Sequence, residues 1–131
     1  MEAIQYVKGM GVEKRRFLQH FNAGMAIQDT IVGVVAGMLL GSGEAGADPS
    51  LPIIAFASSE DQKGIKVSAR AARALVEKGL DLSAVMKAAS ASVGGSGGGH
   101  NVAAGGMIPA GTEERFLRAA EDIIRDQLSR P

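Results

Sequence analysis

Two strand patterns follow one another in the stretch LPIIAFASSEDQKGIKVSAR, residues 51–70. Residues 51–57 are continuously apolar, which is typical of a strand buried on both faces, and Pro52 is acceptable at the start of such a strand. Residues 65–70 alternate, which predicts a strand with one apolar face and one polar face. The apolar side chains are Ile65, Val67 and Ala69, and the polar ones are Lys66, Ser68 and Arg70. The first strand needs helices on both sides, whereas the second keeps one face for solvent or for function.

Helical patterns surround these strands. Apolar residues at helical spacing predict a helix over 31–40, begun by Asp29 or Thr30 and ended by Gly41. Its predicted core stripe is Ile31, Val34, Val35, Met38 and Leu39. The remaining expected elements are strands over 17–22 and 103–108, a helix over 71–78, a helix capped by Asp81, and a helix over 112–128 with Glu114–Arg118 and Glu121–Arg125 pairs. Strands interleaved with helices predict an α/β fold in which a mixed β-sheet is flanked by helices.

Length and composition limit the class of protein. The chain has 131 residues, 46% of them hydrophobic, which suffices for a single domain with its own core. We expect residues 1–16 to be a lead-in segment or linker without a core element, and residues 17–131 to form the domain. The absence of Cys excludes a disulfide scaffold and a thiolate metal site. No apolar run is long enough for a membrane span and no secretory signal is evident, so we expect a cytoplasmic location.

Two glycine-rich segments resemble nucleotide-binding motifs. Residues 41–46, GSGEAG, match the dinucleotide pattern G-x-G-x-x-G, but they follow a predicted helix instead of joining a strand to one, and we discard the match. The segment GGSGGGHN, residues 94–101, has the glycine spacing of a Walker A motif but lacks its Lys and its Ser or Thr. The sequence therefore argues against a nucleotide triphosphatase.

The segment 94–101 is nevertheless unusual for a core element. We predict a loop, in which glycines present consecutive N–H groups to an anion; a flexible linker is the alternative. The small residues of 101–106 favour the anion loop, because they permit close packing of a ligand or a second chain. His100 is suited to donate to a phosphate, whereas His20 is predicted to be structural.

The charges sum to zero, with 14 basic and 14 acidic side chains. This balance argues against a protein that coats nucleic acid by overall charge. A local basic cluster remains, because no acidic residue lies between residues 62 and 76. Its members are Lys63, Lys66, Arg70 and Arg73.

Three motifs together resemble a known family. KVSAR at 66–70, GGGH at 97–100 and AAG at 103–105 occur in the order found in the DHH-associated domain of the DHH phosphoesterase superfamily. The resemblance covers residues 17–128 and is nearest to archaeal RecJ-like single-strand exonucleases. The C-terminal domain of alanyl-tRNA synthetase is a relative that lacks the His followed by Ala-Ala-Gly.

The resemblance implies a domain that binds the nucleic-acid or phosphoester part of a substrate, while a separate DHH domain holds Mn or Mg. The phosphate contacts that it implies are Ser68, Arg70, Gly97, Gly98, Gly99, His100 and Asn101, with Lys66 and Arg73 as secondary basic residues. The metal-binding half of the family needs several Asp and His, and this chain has two isolated His. We therefore name no catalytic or metal-binding residue, and we do not expect the chain to hydrolyse a substrate alone.

A second interpretation remains open. The chain is then an assembly module that docks on a DHH domain or a replication complex without contacting nucleic acid, through the helix with Gly33 and Gly37. A homodimer is a further expectation on this interpretation. On the first interpretation the partner is a single strand or a short oligonucleotide, bound mainly by its backbone, since few aromatic side chains are present to stack on bases.

Overall fold

A computed structural model describes residues 2–61 and 63–129 of the chain. It contains five helices and six strands in the described part. The helices are α1 (Glu2–Met10), α2 (Val32–Ser42), α3 (Arg73–Glu77), α4 (Leu82–Ser92) and α5 (Glu113–Leu128). The strands are β1 (Glu13–Lys14), β2 (Gln19–Asn22), β3 (Ile53–Ser58), β4 (Gly64–Arg70), β5 (Ser96–Gly99) and β6 (Ala103–Pro109), and a short 3₁₀ turn covers Glu44–Gly46.

The six strands form one mixed sheet in the order β1-β2-β3-β4-β6-β5. Strands β2 and β3 are parallel, and every other neighbouring pair is antiparallel. One apolar core lies between the sheet and α3, α4 and α5. A second core lies between the other face of the sheet and α1 and α2. The predicted α/β architecture, with helices on both faces of a mixed sheet, is confirmed.

Strand β3 is the centre of this arrangement. Residues 53–57 are all buried, and their side chains alternate between the two cores. In β4 the apolar side chains of Ile65, Val67 and Ala69 enter the core under α4 and α5. The expected alternation of β4 is thus confirmed, but its polar face is not fully exposed to solvent, since Ser68 is buried.

Helix α2 differs from the prediction at both ends and on one side. Neither Asp29 nor Thr30 caps it, because Ile31 occupies the N-cap position without a side-chain hydrogen bond, and the left-handed residue that ends it is Gly43. The predicted core stripe is split. Val35 and Leu39 are buried, whereas Ile31, Val34 and Met38 are 42%, 60% and 51% exposed.

The N-terminal segment is also different from the expectation. Residues 2–10 form α1, and Ile4 and Val7 are buried in the core that α2 shares. The expectation that residues 1–16 supply no core element is therefore wrong for the described part of that segment. The segment mixes charged and apolar residues and contains two nearby glycines, and this pattern gives little indication of the short amphipathic helix that it forms.

The glycine segment is a strand and not the predicted loop. Residues 96–99 form β5, which pairs with β6 at the edge of the sheet. A Cβ on Gly97 would lie 2.7 Å from the Oγ of Ser90 and 2.8 Å from the carbonyl oxygen of Met86, both on α4. A Cβ on Gly106 would lie 2.8 Å from the same Oγ, which is buried without a hydrogen-bond partner in the described part. These glycines let α4 approach the sheet closely, so their first role is packing.

Helix α5 is fastened to the N-terminal half by polar contacts. Arg15 pairs with Glu114, and the N–H of Phe17 donates to the carboxylate of Glu121 at 3.0 Å. The predicted Glu114–Arg118 pair is present, but Arg125 pairs with Asp122 and Asp126 instead of Glu121. No helix in the described part is both long and apolar enough to cross a bilayer.

The packing at α4 makes a matched pair of variants informative. We expect Gly97→Ala to lower the free energy of unfolding by about 1–3 kcal/mol, because its methyl group overlaps α4. Gly98→Ala, one residue later, has no atom within 4 Å of the new Cβ and should raise stability by up to about 1 kcal/mol, since Ala is preferred to Gly in a strand. Urea denaturation of both variants measures the difference, and equal stability would contradict the packing role of Gly97.

His20 gives the fold a pH dependence. Burial, followed by the charge of Arg15, lowers the pKa of His20 below its usual value, and Nε2 accepts a hydrogen bond from Arg15 at 3.4 Å. The unfolded chain then binds the proton more readily, so the free energy of unfolding should fall as the pH drops through about 6.5 toward the lower folded-state pKa. Denaturation between pH 7.5 and 5.5 tests this. His20→Gln should flatten the dependence, and a dependence that persists in this variant would contradict its assignment to His20.

Candidate functional site

The predicted site residues lie at one end of the sheet, where β4 ends and the turn between β5 and β6 begins. Arg70 is paired with Ala103, and Gly99 with Ala104, so the turn 100–102 is close to the last residue of β4. The backbone anchors this turn, because the carbonyl oxygen of Val102 accepts from Ala71 and that of Asn101 accepts from Leu82. The start of α4 is fixed to the same place.

The register also defines which residues share a face. Directly paired residues point to the same side of a sheet, and Gly98, Gly105 and Ser68 are paired in a row across three strands. Helix α2 packs on β3 and β4 but leaves this side of β6 and β5 half-exposed or exposed. We call this the small-residue face; its members are Lys66, Arg70, Ser96, Gly98, Ala103, Gly105 and Met107, and Ser68 points to the same side but is buried.

Arg70 is the central charged group on the small-residue face. Its side chain is about half-buried, and Nη1 donates to the carbonyl oxygens of Ala69 at 2.8 Å and Ala104 at 3.4 Å. Burial lowers the pKa of its guanidinium, which stays protonated at neutral pH. Within residues 2–61 and 63–129 it has no carboxylate partner, and its Nη2 and Nε have no acceptor. A charged group that has lost water without gaining a counter-ion is suited to bind an anion.

Glycines of α2 make room for this side chain. A Cβ on Gly33 would lie 2.5 Å from Nη2 of Arg70 and 3.0 Å from Oγ of Ser68, and one on Gly37 would lie 3.9 Å from Cγ of Arg70. The Arg70 side chain therefore runs along α2 from Gly37 to Gly33, which brings the guanidinium to the first turn of the helix. From the sequence we expect these glycines to serve docking only. The available signal for a close contact at this side of the helix is their i, i+4 spacing in an uncharged helix.

The other predicted residues are placed differently from one another. Gly98 has open space above it, and Lys66 reaches along Gly105, so both belong to the small-residue face. Gly97 faces α4, and Gly99, with φ of 138°, begins the turn. His100 is exposed, and its backbone N–H donates to Ala103 at 2.9 Å. The structure thus brings most of the predicted residues to one end of the sheet but divides the glycine run between two faces.

Two further residues stand apart from the centre of the site. Arg73 is exposed at the start of α3, and Asn101 is half-buried and contributes its carbonyl oxygen to the anchoring of α4. No group of three or more metal-ligating side chains occurs in the described part of the chain.

Comparison with known proteins identifies the family. The family model of the DHHA1 domain matches residues 22–126. The chain belongs to the DHHA1 domain family. A curated relative, an uncharacterised protein of Methanocaldococcus jannaschii, is 31% identical over 127 residues, which are 97% of this chain and 26% of that protein. The chain thus spans about a quarter of the length of this relative.

Solved structures show the same fold at low sequence identity. The C-Ala domain of Aquifex aeolicus alanyl-tRNA synthetase aligns with a TM-score of 0.63 and 15% identity, over 92% of this chain and 100% of that one. A pGpG-specific phosphodiesterase of Vibrio cholerae aligns with a TM-score of 0.60 and 11% identity, over 95% of this chain and 39% of the other. This fold thus occurs as one part of a longer protein.

The two glycines of α2 give a test of the Arg70 geometry. Gly37→Ala should raise the free energy of unfolding by about 0.5–1 kcal/mol, because Ala is favoured in a helix and the new methyl makes an ordinary contact. Gly33→Ala should raise the free energy of unfolding by less, because its methyl group displaces the guanidinium of Arg70. The Nε–H signal of Arg70 in NMR spectra should move strongly in Gly33→Ala and little in Gly37→Ala. A reversed or equal response would contradict the placement of Arg70 along the helix.

Proposed function

We propose that this DHHA1 domain binds the phosphate backbone of single-stranded nucleic acid or of a short oligonucleotide, as the substrate-binding part of a RecJ-like DHH phosphoesterase. The observation that carries the proposal is the guanidinium of Arg70, which is half-buried, without a carboxylate partner in the described part, and has free donors beside an open surface. A planar guanidinium with two free donors suits the two oxygens of a phosphate.

The surface beside Arg70 supports the same proposal. Gly98, Gly105 and Ala103 carry no side chain larger than a methyl group, so a sugar-phosphate chain lies close to the backbone there without steric conflict. Lys66 on the same face is without an ion-pair partner in the described part and supplies a second positive charge. His100, exposed at the end of β5, offers a further donor when protonated.

The catalytic half of the proposed enzyme is a separate DHH domain. We assign Mn or Mg to that domain, since the described residues of this chain offer no cluster of three ligands. The curated relative is long enough to contain such a domain in addition. The fold shared with the pGpG-specific phosphodiesterase supports phosphodiester substrates, because that enzyme acts on a dinucleotide.

Arg70→Gln tests the proposal. Removing one charged contact to phosphate should weaken binding of a fluorescent trinucleotide or hexanucleotide about 10- to 100-fold, measured by anisotropy. The slope of log affinity against log salt should also become less steep by about 0.7, the value for one single-strand phosphate. Arg125→Gln is the matched control, because Arg125 pairs with Asp122 and Asp126 on the exposed side of α5.

Two outcomes decide between this function and its alternative. If Arg70→Gln and His100→Ala both bind as the parent does, the phosphate-binding proposal is wrong. The alternative, an assembly module, is favoured by one observation, the exposed apolar side of α2 formed by Ile31, Val34 and Met38. A stable dimer in sedimentation experiments, together with no oligonucleotide binding, would support that alternative.

A further inference from the structure

A cavity of about 240 Å³ lies beside the start of α2, outside the small-residue face. It is formed between the loop that precedes α2 and the turn that joins β3 to β4. Its walls are Met25, Ile27, Gln28, Asp29, Thr30, Ser58 and Glu60. The volume is enough for one small ring system and too small for a large ligand.

Five side chains in the cavity wall are polar: Asp29 and Glu60 carry carboxylates, which accept hydrogen bonds, and Gln28, Thr30 and Ser58 both donate and accept. Asp29 is half-buried, and its carboxylate neither accepts a hydrogen bond nor pairs with a cation among the described residues; it is also not the cap of α2. Glu60 has no ion-pair partner in the described part either. Among the described residues, no Lys, Arg or His lines the cavity. A ligand that contacts the carboxylates of Asp29 and Glu60 must present N–H or O–H donors to them.

The position of the cavity connects it with Arg70. Thr30, in the cavity wall, lies two residues before α2 begins at Val32 and three residues before Gly33. Gly33 is the residue against which the guanidinium of Arg70 lies. The cavity thus lies in front of α2, beside the end of β3 at Ser58, and the guanidinium of Arg70 lies against the first turn of the same helix.

We infer that this cavity receives a guanine base of the bound strand. Guanine presents its ring N1–H and its 2-amino group side by side, and these two donors match the two oxygens of one carboxylate. Adenine and cytosine place a ring acceptor next to their amino group, and uracil flanks its single N–H with two carbonyl oxygens, so each meets the carboxylate with at least one repelled acceptor. Asp29 supplies the carboxylate, and Met25 and Ile27 supply apolar contact for the ring.

This inference rests on the proposed function, because the backbone bound at Arg70 is what brings a base to the cavity. It also changes one expectation from the sequence. The shortage of aromatic side chains predicts recognition mainly of the backbone, without strong sequence preference, but a carboxylate contacts the edge of a base and needs no stacking platform.

Nucleosides test the cavity without any phosphate. Guanosine, added to ¹⁵N-labelled protein, should shift the amide signals of residues 25–30 and 58–60, whereas adenosine, cytidine and uridine should not. Asp29→Asn replaces one acceptor oxygen with a donor and should weaken guanosine binding at least tenfold. Asp122→Asn, an exposed carboxylate on α5, is the control. Absence of the shift, equal shifts with all four nucleosides, or unchanged binding by Asp29→Asn overturns the inference.

Trinucleotides connect the cavity to the strand. We expect a guanosine trinucleotide to bind more tightly than a uridine trinucleotide, and Asp29→Asn to abolish the difference without weakening the uridine one. Arg70→Gln should weaken both. If trinucleotides bind through Arg70 without preference, the inference fails and the proposed function stands. If guanosine binds but no trinucleotide does, the proposed function fails, and with it the claim that the cavity receives a base from a strand.

Discussion

Close approach of α4 to the edge of the sheet is the constraint on which the other features depend. The Oγ of Ser90 and the carbonyl oxygen of Met86 occupy the space that a Cβ on Gly97 or Gly106 would need. Only glycine is compatible with this contact, so β5 and β6 lack side chains where α4 lies against them. Because side chains alternate along a strand, the next residues face the other way, and Gly98 and Gly105 extend the absence of side chains to the opposite face. Packing on one side thus accompanies an open backbone surface on the other.

The absence of side chains at glycine positions also explains how Arg70 is held. A half-buried guanidinium is costly unless its donors are used, and two of its contacts are to backbone carbonyls rather than to acids. Gly33 and Gly37 let α2 lie against it, so the helix and the sheet hold the charged group from both sides. The net charge of zero does not show that the acidic residues are paired with other arginines and not with Arg70. Acidic residues of α5 are used by Arg15, Arg118 and Arg125, whereas Arg70 has none in the described part.

Sequence patterns predict those elements whose buried side chains follow a regular spacing along the chain. Strands β3 and β4, helix α4 with its Asp81 cap, and helix α5 follow from apolar periodicity and local capping. The patterns fail where tertiary contacts decide the conformation of a segment or which of its sides is buried. Helix α2 is apolar all round, so periodicity alone does not tell which side faces the sheet, and its glycines fix the buried side through Arg70. The glycine run was predicted as a loop, because strand propensity gives no sign that a helix will lie against it.

The guanidinium of Arg70 and the cavity both lie near the start of α2. Gly33, in the first turn of the helix, lies against the guanidinium, and Asp29 and Thr30, in the loop before the helix, line the cavity. Any displacement of this turn changes the distance between the cation and the carboxylate at the same time. Because the residues before Val32 form no side-chain cap, the turn is held by the carbonyl oxygen of Gln28, which accepts from both Ile31 and Val32, and by its packing on the sheet. The position of α2 on β4 therefore sets the spacing between the guanidinium of Arg70 and the carboxylate of Asp29.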